Sequence, residues 1–336
     1  KGETARSIAK ANRDVLKSFF GILKDATIAP FLRFVFLTGV SRFSRVSIFS
    51  ELNNLQDISM HAQYADMLGY TQEELETRFQ PYIEQVADSL SWTVEQVLTT
   101  LVTQYNGYRF SERDSKVYNP FSVLNAFSEH AFKNYWFSTG TPTFLINLLK
   151  QERYNLAKVE EIKVSTSIFT TFDIDRLNPE ALLFQTGYVT IKAVHDGIYT
   201  LGYPNQEVKT SFAESLLFAA PDGIPQNESS DVLKLAQYLR DENVDAFFET
   251  MTAIFASIPY TLEAKRDEAY FHTIFYLMMT ASGVETRCED LTDKGRIDLT
   301  VVFPDKVYLI EFKCNQSPEA AIKQIQAQGY AEKYRQ

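Results

Sequence analysis

Two apolar runs near the C-terminal end constrain the fold most, because each carries charge where a hydrophobic sheet should have none. The runs are Arg296-Ile297-Asp298-Leu299-Thr300-Val301-Val302-Phe303 and Val307-Tyr308-Leu309-Ile310-Glu311-Phe312-Lys313. Both alternate with period two and are rich in β-branched and aromatic residues, which is the pattern of strands. Between them, Phe303-Pro304-Asp305-Lys306 suits a type I turn with proline at its second position, inside a four-residue hairpin loop. The spacing therefore predicts a hairpin in which 302 faces 307, 300 faces 309 and Asp298 faces Glu311. Lys313, two residues on, projects from the same face as Glu311.

Two carboxylates opposed across a hairpin destabilise it unless a cation offsets their repulsion. A divalent metal does so, since Mg²⁺ is typically held by one or two carboxylates plus water and substrate phosphate. A neighbouring lysine can then orient or help deprotonate a water, or stabilise charge on a phosphate. The bland alternative is a surface patch in which Lys313 and Arg296 neutralise the acids. The two strands alone leave both readings open.

Upstream, residues 262–281 read as a helix with an apolar stripe at Phe271, Ile274, Phe275 and Met278. Glu268 and His272 lie one turn apart on it and share a face. The order is then helix with Glu, strand, strand with Asp, strand with Glu-x-Lys, helix. This order resembles the PD-(D/E)XK nuclease superfamily, on Glu268, on Gly295-Arg296-Ile297-Asp298-Leu299 and on Glu311-Phe312-Lys313. Gln324-Ile325 and Tyr330 are similar to the polar residues of that family's second helix. The resemblance implies a restriction-endonuclease-like α-β-β-β-α core acting on nucleic acid. It further implies Asp298 and Glu311 as ligands of Mg²⁺ or Mn²⁺, Glu268 as an auxiliary acid, and Lys313 as the water-positioning base or electrostatic partner. His272, the histidine nearest these acids, is expected to pack on its helix face rather than act as a base. The family's closing strand is expected to be missing, since the sequence stops at Gln336.

At 336 residues the chain is long for one domain, and 45% hydrophobic with 14% aromatic residues is enough material for more than one core. A net charge of -10 argues against broad electrostatic attraction to nucleic acid. Residues 263–336 are nearly balanced, with 10 Lys and Arg against 12 Asp and Glu, so a local basic groove stays compatible with that charge. Cys288 and Cys314 lack metal-type spacing and fall in adjacent predicted strands as reduced thiols. No run approaches the length of a membrane span and no signal peptide is visible, so a cytoplasmic protein is expected.

Farther upstream, residues 5–24 read as a helix with Ile8, Val15, Phe19 and Leu23 on one face, and 31–40 as a buried parallel strand. A long helical region follows to about 105, with Thr71-Gln72-Glu73-Glu74 as a capping box. Tyr105-Asn106-Gly107-Tyr108 reads as a tight turn flanked by packing tyrosines. The Phe36–Ser44 run, Leu52-Asn53-Asn54-Leu55, Gly69-Tyr70-Thr71, Tyr105–Phe110, Tyr118–Ser122 and Tyr135–Pro142 together resemble the predicted AAA-ATPase-like domain often fused to PD-(D/E)XK modules. No Walker A loop occurs in the sequence, so only the later part of such a fold is expected, without ATP hydrolysis. ATP would then be a ligand only of a longer native protein. Thr38, Ser41 and Arg42 are placed by the resemblance where such folds read nucleotide state.

The expected fold class is thus α/β, mixed and multidomain. An incomplete AAA-ATPase-like part spans 1–150, a winged-helix-like region 151–225 and the nuclease-like domain 226–336. Two functions compete: a metal-dependent nuclease attached to an incomplete ATPase-like module, and a non-catalytic nucleotide-switch or binding module with a degenerate nuclease fold.

Overall fold

The computed structural model describes residues 2–39, 55–139, 143–152, 154, 159–169, 178–218, 224–225, 228–258, 267–292, 294–313 and 316–335. The chain opens on α1 (Gly2–Gly21), close to the predicted helix. Its apolar residues Val15 and Phe19 are 68% and 63% exposed. The strand expected over 31–40 does not form among the described residues. Phe31 closes a 3₁₀ turn, 32–39 hold no regular element, and Phe31 and Phe34 stand exposed. The run has the composition of a buried strand, but a strand also needs neighbours for its backbone groups, and no described strand pairs with it.

A helical unit follows, made of α2 (Gln72–Arg78), α3 (Gln80–Leu90), α4 (Val94–Tyr105) and α5 (Pro120–Glu129). Thr71 caps α2 through the capping box read from the sequence: its hydroxyl accepts from the Glu74 N–H, and the Glu74 carboxylate accepts from the Thr71 N–H. Thr93 and Gln96 form a second such box at α4. Leu75, Ile83, Val97, Leu101, Tyr105 and Tyr118 fill the core of this unit.

The middle of the chain runs α6 (Thr143–Gln151), β1 (Ile162–Ser165), α7 (Pro179–Gln185), β2 (Thr190–His195), β3 (Ile198–Gly202) and α8 (Gln206–Phe218). Its three strands form an antiparallel sheet in the order β1-β3-β2. The tight turn at Gly107 is seated on this unit. Gly107 has φ +119°, and a Cβ there would stand 2.1 Å from the Pro204 carbonyl oxygen. Glycine is therefore required both by its conformation and by the approach of another loop. Tyr105 and Tyr135 are buried, in keeping with packing rather than base stacking, and Trp136 meets Tyr188 edge-on.

The last part holds α9 (Ser229–Arg240), α10 (Val244–Ser257), α11 (Glu268–Ala281), β4 (Glu285–Leu291), β5 (Arg296–Val302), β6 (Val307–Ile310) and α12 (Pro318–Ala327). Asp267 caps α11 by accepting from the Tyr270 N–H, and residues 262–266 of the predicted helix lie outside the described residues. β4, β5 and β6 form a second antiparallel sheet in sequence order. α11 packs against this sheet and against α8. One hydrophobic cluster runs through both the middle and the last parts, from Leu201 and Phe212 to Leu239, Phe275, Met278 and Val301.

Candidate metal centre

The hairpin register is the predicted one. Val302 faces Val307, Thr300 faces Leu309, and the ladder closes at Leu299 and Ile310. The Phe303 N–H donates to the Lys306 carbonyl across the loop at 2.8 Å. One step beyond the ladder stand Asp298 and Glu311. The Phe312 N–H donates to Asp298 Oδ2 at 2.9 Å, which brings the start of the 311–313 segment onto the Asp298 carboxylate.

Glu311 is the buried member of the pair, its side chain only 1% exposed. Its Oε1 accepts from Lys313 Nζ at 2.9 Å and from Gln324 Nε2 on α12. Its Oε2 is buried with no hydrogen-bond partner in the structure. Burial pushes the Glu311 carboxyl above its ordinary value, the bond from Lys313 pulls it down, and the neighbouring Asp298 charge pushes it up again. A contact between two ionised carboxylates satisfies neither, because both are acceptors only. For Lys313 burial acts downward, but the Glu311 bond and the charges of Glu311, Asp298 and Glu268 together raise it. The lysine is thus held as an ammonium, and it also donates to the Phe312 carbonyl at 2.9 Å.

Arg296 does not neutralise these acids. It turns away to Glu289 at 3.2 Å. One ammonium therefore stands against two touching carboxylates, with Glu268, the first residue of α11, adding to the field at Lys313. Among the described residues no group of three or more His, Cys, Asp or Glu side chains is arranged to hold a metal ion. What the fold offers is a two-carboxylate site with one buried oxygen unpartnered. That matches a hard cation taking one or two carboxylates and completing its shell with water or phosphate.

α11 reaches the same place through His272. Its Nε2 lies 2.9 Å from the Asp298 main-chain carbonyl and 3.5 Å from Cys288 Sγ. A carbonyl only accepts, so Nε2 carries the proton. The imidazole also packs edge-on against Phe312, ring centroids 5.2 Å apart. His272 thus packs from α11 against Phe312 and hydrogen-bonds the Asp298 carbonyl.

The other predicted residues distribute differently. Tyr330 is not on the second helix: α12 ends at Ala327, and Tyr330 starts a 3₁₀ turn, buried over Gly295 where a Cβ would meet its hydroxyl at 3.1 Å. The glycine at 329, with φ +60°, breaks the helix before the tyrosine is reached. Thr38 is exposed in the irregular 32–39 stretch, while Ser41, Arg42 and Cys314 lie outside the described residues. Cys288 is a free thiol on β4, its pKa raised by burial.

Asp290 was not anticipated. It accepts from Lys333 Nζ at 2.5 Å, from the Tyr334 hydroxyl and from Thr300 Oγ1 at 3.3 Å, tying the last 3₁₀ turn to the sheet. The only signal in the sequence was a charge inside a strand pattern.

Residues 266–336 match the PD-(D/E)XK nuclease superfamily, and residues 2–49 match a family described as predicted AAA-ATPase. The chain thus carries an N-terminal segment similar to the AAA-ATPase-like family and a C-terminal segment similar to the PD-(D/E)XK nuclease superfamily. An "uncharacterized protein in vnfD 5'region" of Azotobacter chroococcum mcd 1 is 37% identical over 345 residues, covering 99% of this chain. The chain spans 63% of that relative's length. No solved structure matches the chain. The AAA-ATPase match ends well before 150, whereas the nuclease match takes in Glu268, Asp298, Glu311, Lys313 and Gln324. No helix among the described residues is long and apolar enough to cross a membrane.

Proposed function

We propose that the C-terminal domain is a metal-dependent nuclease that hydrolyses phosphodiester bonds in nucleic acid, with Asp298 and Glu311 as the metal ligands. The observation that carries this reading is the buried, unpartnered Oε2 of Glu311 beside the Asp298 carboxylate. Leaving a buried acceptor oxygen without a partner costs about 1–3 kcal/mol, and a cation between the two acids removes that cost. When bound, Mg²⁺ or Mn²⁺ supplies positive charge for the phosphate and makes water a stronger nucleophile.

The protein's own groups do the rest. Lys313, kept cationic by three carboxylates, orients the attacking water and offsets charge on the phosphate. Gln324 fixes the Glu311 carboxylate by donating to Oε1, so that Oε2 keeps its direction. Glu268, one helix start away, serves as an auxiliary acid through its field at Lys313. Residues 2–49 supply part of an ATPase-like module, with Thr38, Ser41 and Arg42 as its proposed nucleotide-sensing residues and ATP as its ligand in a longer protein. The three-stranded β1-β3-β2 unit is read as winged-helix-like and as packing against the ATPase-like part.

Incubation of supercoiled plasmid with Mn²⁺ or Mg²⁺ tests this. Nicking should appear with metal and vanish with chelator. Asp298→Asn and Lys313→Met should each slow it at least about a hundredfold, the scale of removing one charge-stabilising group. Nicking that survives in both variants would exclude this site as its source.

A second reading has its own support. Around the β4–β5 edge the basic residues face acids: Arg287 meets Glu285, Lys294 meets Glu332, and Lys333 meets Asp290. Such a neutralised face favours a regulatory binding module with a degenerate nuclease fold. That module would bind Mn²⁺ through Asp298 and Glu311 without cutting.

A further inference from the structure

Asp298 sits at a gap in the pairing of an otherwise regular sheet. The β4–β5 register runs unshifted from Cys288 facing Leu299 to Asp290 facing Ile297, but Glu289 and Asp298 between them are not paired. Glu289 has φ +51°, in the left-handed region that a non-glycine residue adopts only with strain. On the other side, the β5–β6 ladder has already closed at Leu299 and Ile310. The residue that the nuclease reading makes a metal ligand thus lies where neither neighbouring strand pairs with it regularly.

We infer that His272 is a positioning residue for the Asp298 carboxylate, holding from α11 the stretch of β5 that the sheet leaves unpaired. Its Nε2–H donates to the Asp298 carbonyl at 2.9 Å, fixing the peptide plane that follows the acid. Its ring packs against Phe312, whose N–H donates to Asp298 Oδ2 at 2.9 Å. Phe275, three residues along α11 from His272, also meets Phe312 edge-on, with ring centroids 5.3 Å apart. Backbone and carboxylate of Asp298 are therefore held by two groups that touch each other, and Oδ2 is already engaged. Oδ1 is left as the oxygen to meet a cation shared with Glu311. Groups that hold a ligand in this way typically contribute 10–100-fold to metal affinity.

The inference rests on Asp298 being a metal ligand, and the test separates the two ideas. Mn²⁺ binding to the whole chain would be measured by calorimetry for the wild type, His272→Gln, His272→Leu, His272→Asn and Asp298→Asn, with melting curves for each. His272→Leu keeps apolar bulk against Phe312 but cannot donate, and should weaken Mn²⁺ binding by about tenfold or more. His272→Gln carries an N–H at the reach of Nε2 and should restore binding to within about threefold of wild type. Should His272→Leu fail to fold, the pair of polar variants decides: Gln reaches the carbonyl and Asn, one methylene shorter, does not. Equal affinity in the Leu variant and wild type, or equal weakening in Gln, Asn and Leu, overturns the positioning role. If Asp298→Asn loses Mn²⁺ while His272→Leu keeps it, the metal site stands and only the role of His272 falls. If Asp298→Asn binds Mn²⁺ as the wild type does, both fall.

Discussion

Glu207 on α8 accepts the Ser122 hydroxyl of α5 through both carboxylate oxygens, at 3.0 and 2.8 Å, and the Trp136 N–H at 2.9 Å. It is fully buried at the joint between the helical unit and the middle sheet. The hydrogen bonds to it come from neutral groups, and burial pushes its pKa up to about 7. A carboxyl raised in the folded state binds its proton more tightly there than in the unfolded chain. Stability is therefore greatest when Glu207 is protonated and falls as pH rises from about 4.5 towards 7, by on the order of 3 kcal/mol.

Glu207→Gln should remove that slope while keeping an acceptor for Ser122. Melting temperatures of wild type and variant from pH 5 to 8 should converge at the acid end and separate towards neutrality, with the variant more stable above pH 7. Parallel curves would mean that Glu207 does not titrate in this range.

Lys209 on α8 pairs with Glu160 and donates to the Thr286 carbonyl of β4 at 2.8 Å, while the Tyr276 hydroxyl of α11 donates to Glu160 at 2.9 Å. Lys209→Met leaves Glu160, three-quarters covered, without its cation, and should cost about 2–4 kcal/mol, somewhat under the range for fully buried pairs. Adding Glu160→Gln should recover part of that loss. Strict additivity in the double-mutant cycle would show that the pair is not coupled.

Gly107→Ala places a methyl group 2.1 Å from the Pro204 carbonyl oxygen, in a conformation with φ +119°. The loop at 204 must then move, and a loss of about 3 kcal/mol or more follows. Gly197→Ala is the control. Gly197 also has positive φ but nothing within 4 Å of its Cβ position, so it should lose clearly less. Equal losses would attribute the effect to backbone conformation alone.

Thr93→Ala removes the hydroxyl that accepts from the Gln96 N–H at 3.2 Å and breaks a capping box. The expected loss is about 1 kcal/mol. Thr93→Ser should keep most of it, as read from denaturant midpoints.

Mn²⁺ should raise the melting temperature of the wild type, since a ligand at a hundred times its dissociation constant stabilises by about 2.7 kcal/mol. Glu311→Gln should abolish the rise. A metal-induced rise that persists in Glu311→Gln would place the cation elsewhere.

Much of the candidate site was legible because it is local. Period-two alternation and the Phe303–Lys306 loop set the register of β5 and β6 within eighteen residues, and capping chemistry marked the start of α2. Gln324 was legible as a polar residue on the second helix, though not as the donor to Glu311. Tyr330 was misplaced because the helix stops at a glycine whose effect depends on its left-handed conformation. The 31–40 run misled for the opposite reason: its composition is that of a buried strand, but composition does not provide a partner.

The sequence by itself determined the order of elements from α11 to α12, the register that brings Asp298 and Glu311 together, and the presence of Lys313 beside them. These follow from backbone periodicity and turn chemistry, which act over a few residues. Tertiary structure alone decided that Oε2 of Glu311 is buried without a partner, that Arg296 turns to Glu289, and that His272 reaches the Asp298 carbonyl from 26 residues away. It also decided that Glu207 is sealed into a joint with Ser122, 85 residues distant. The energy of a charge depends on the solvent and dipoles around it, and those are set by whichever distant segments pack there.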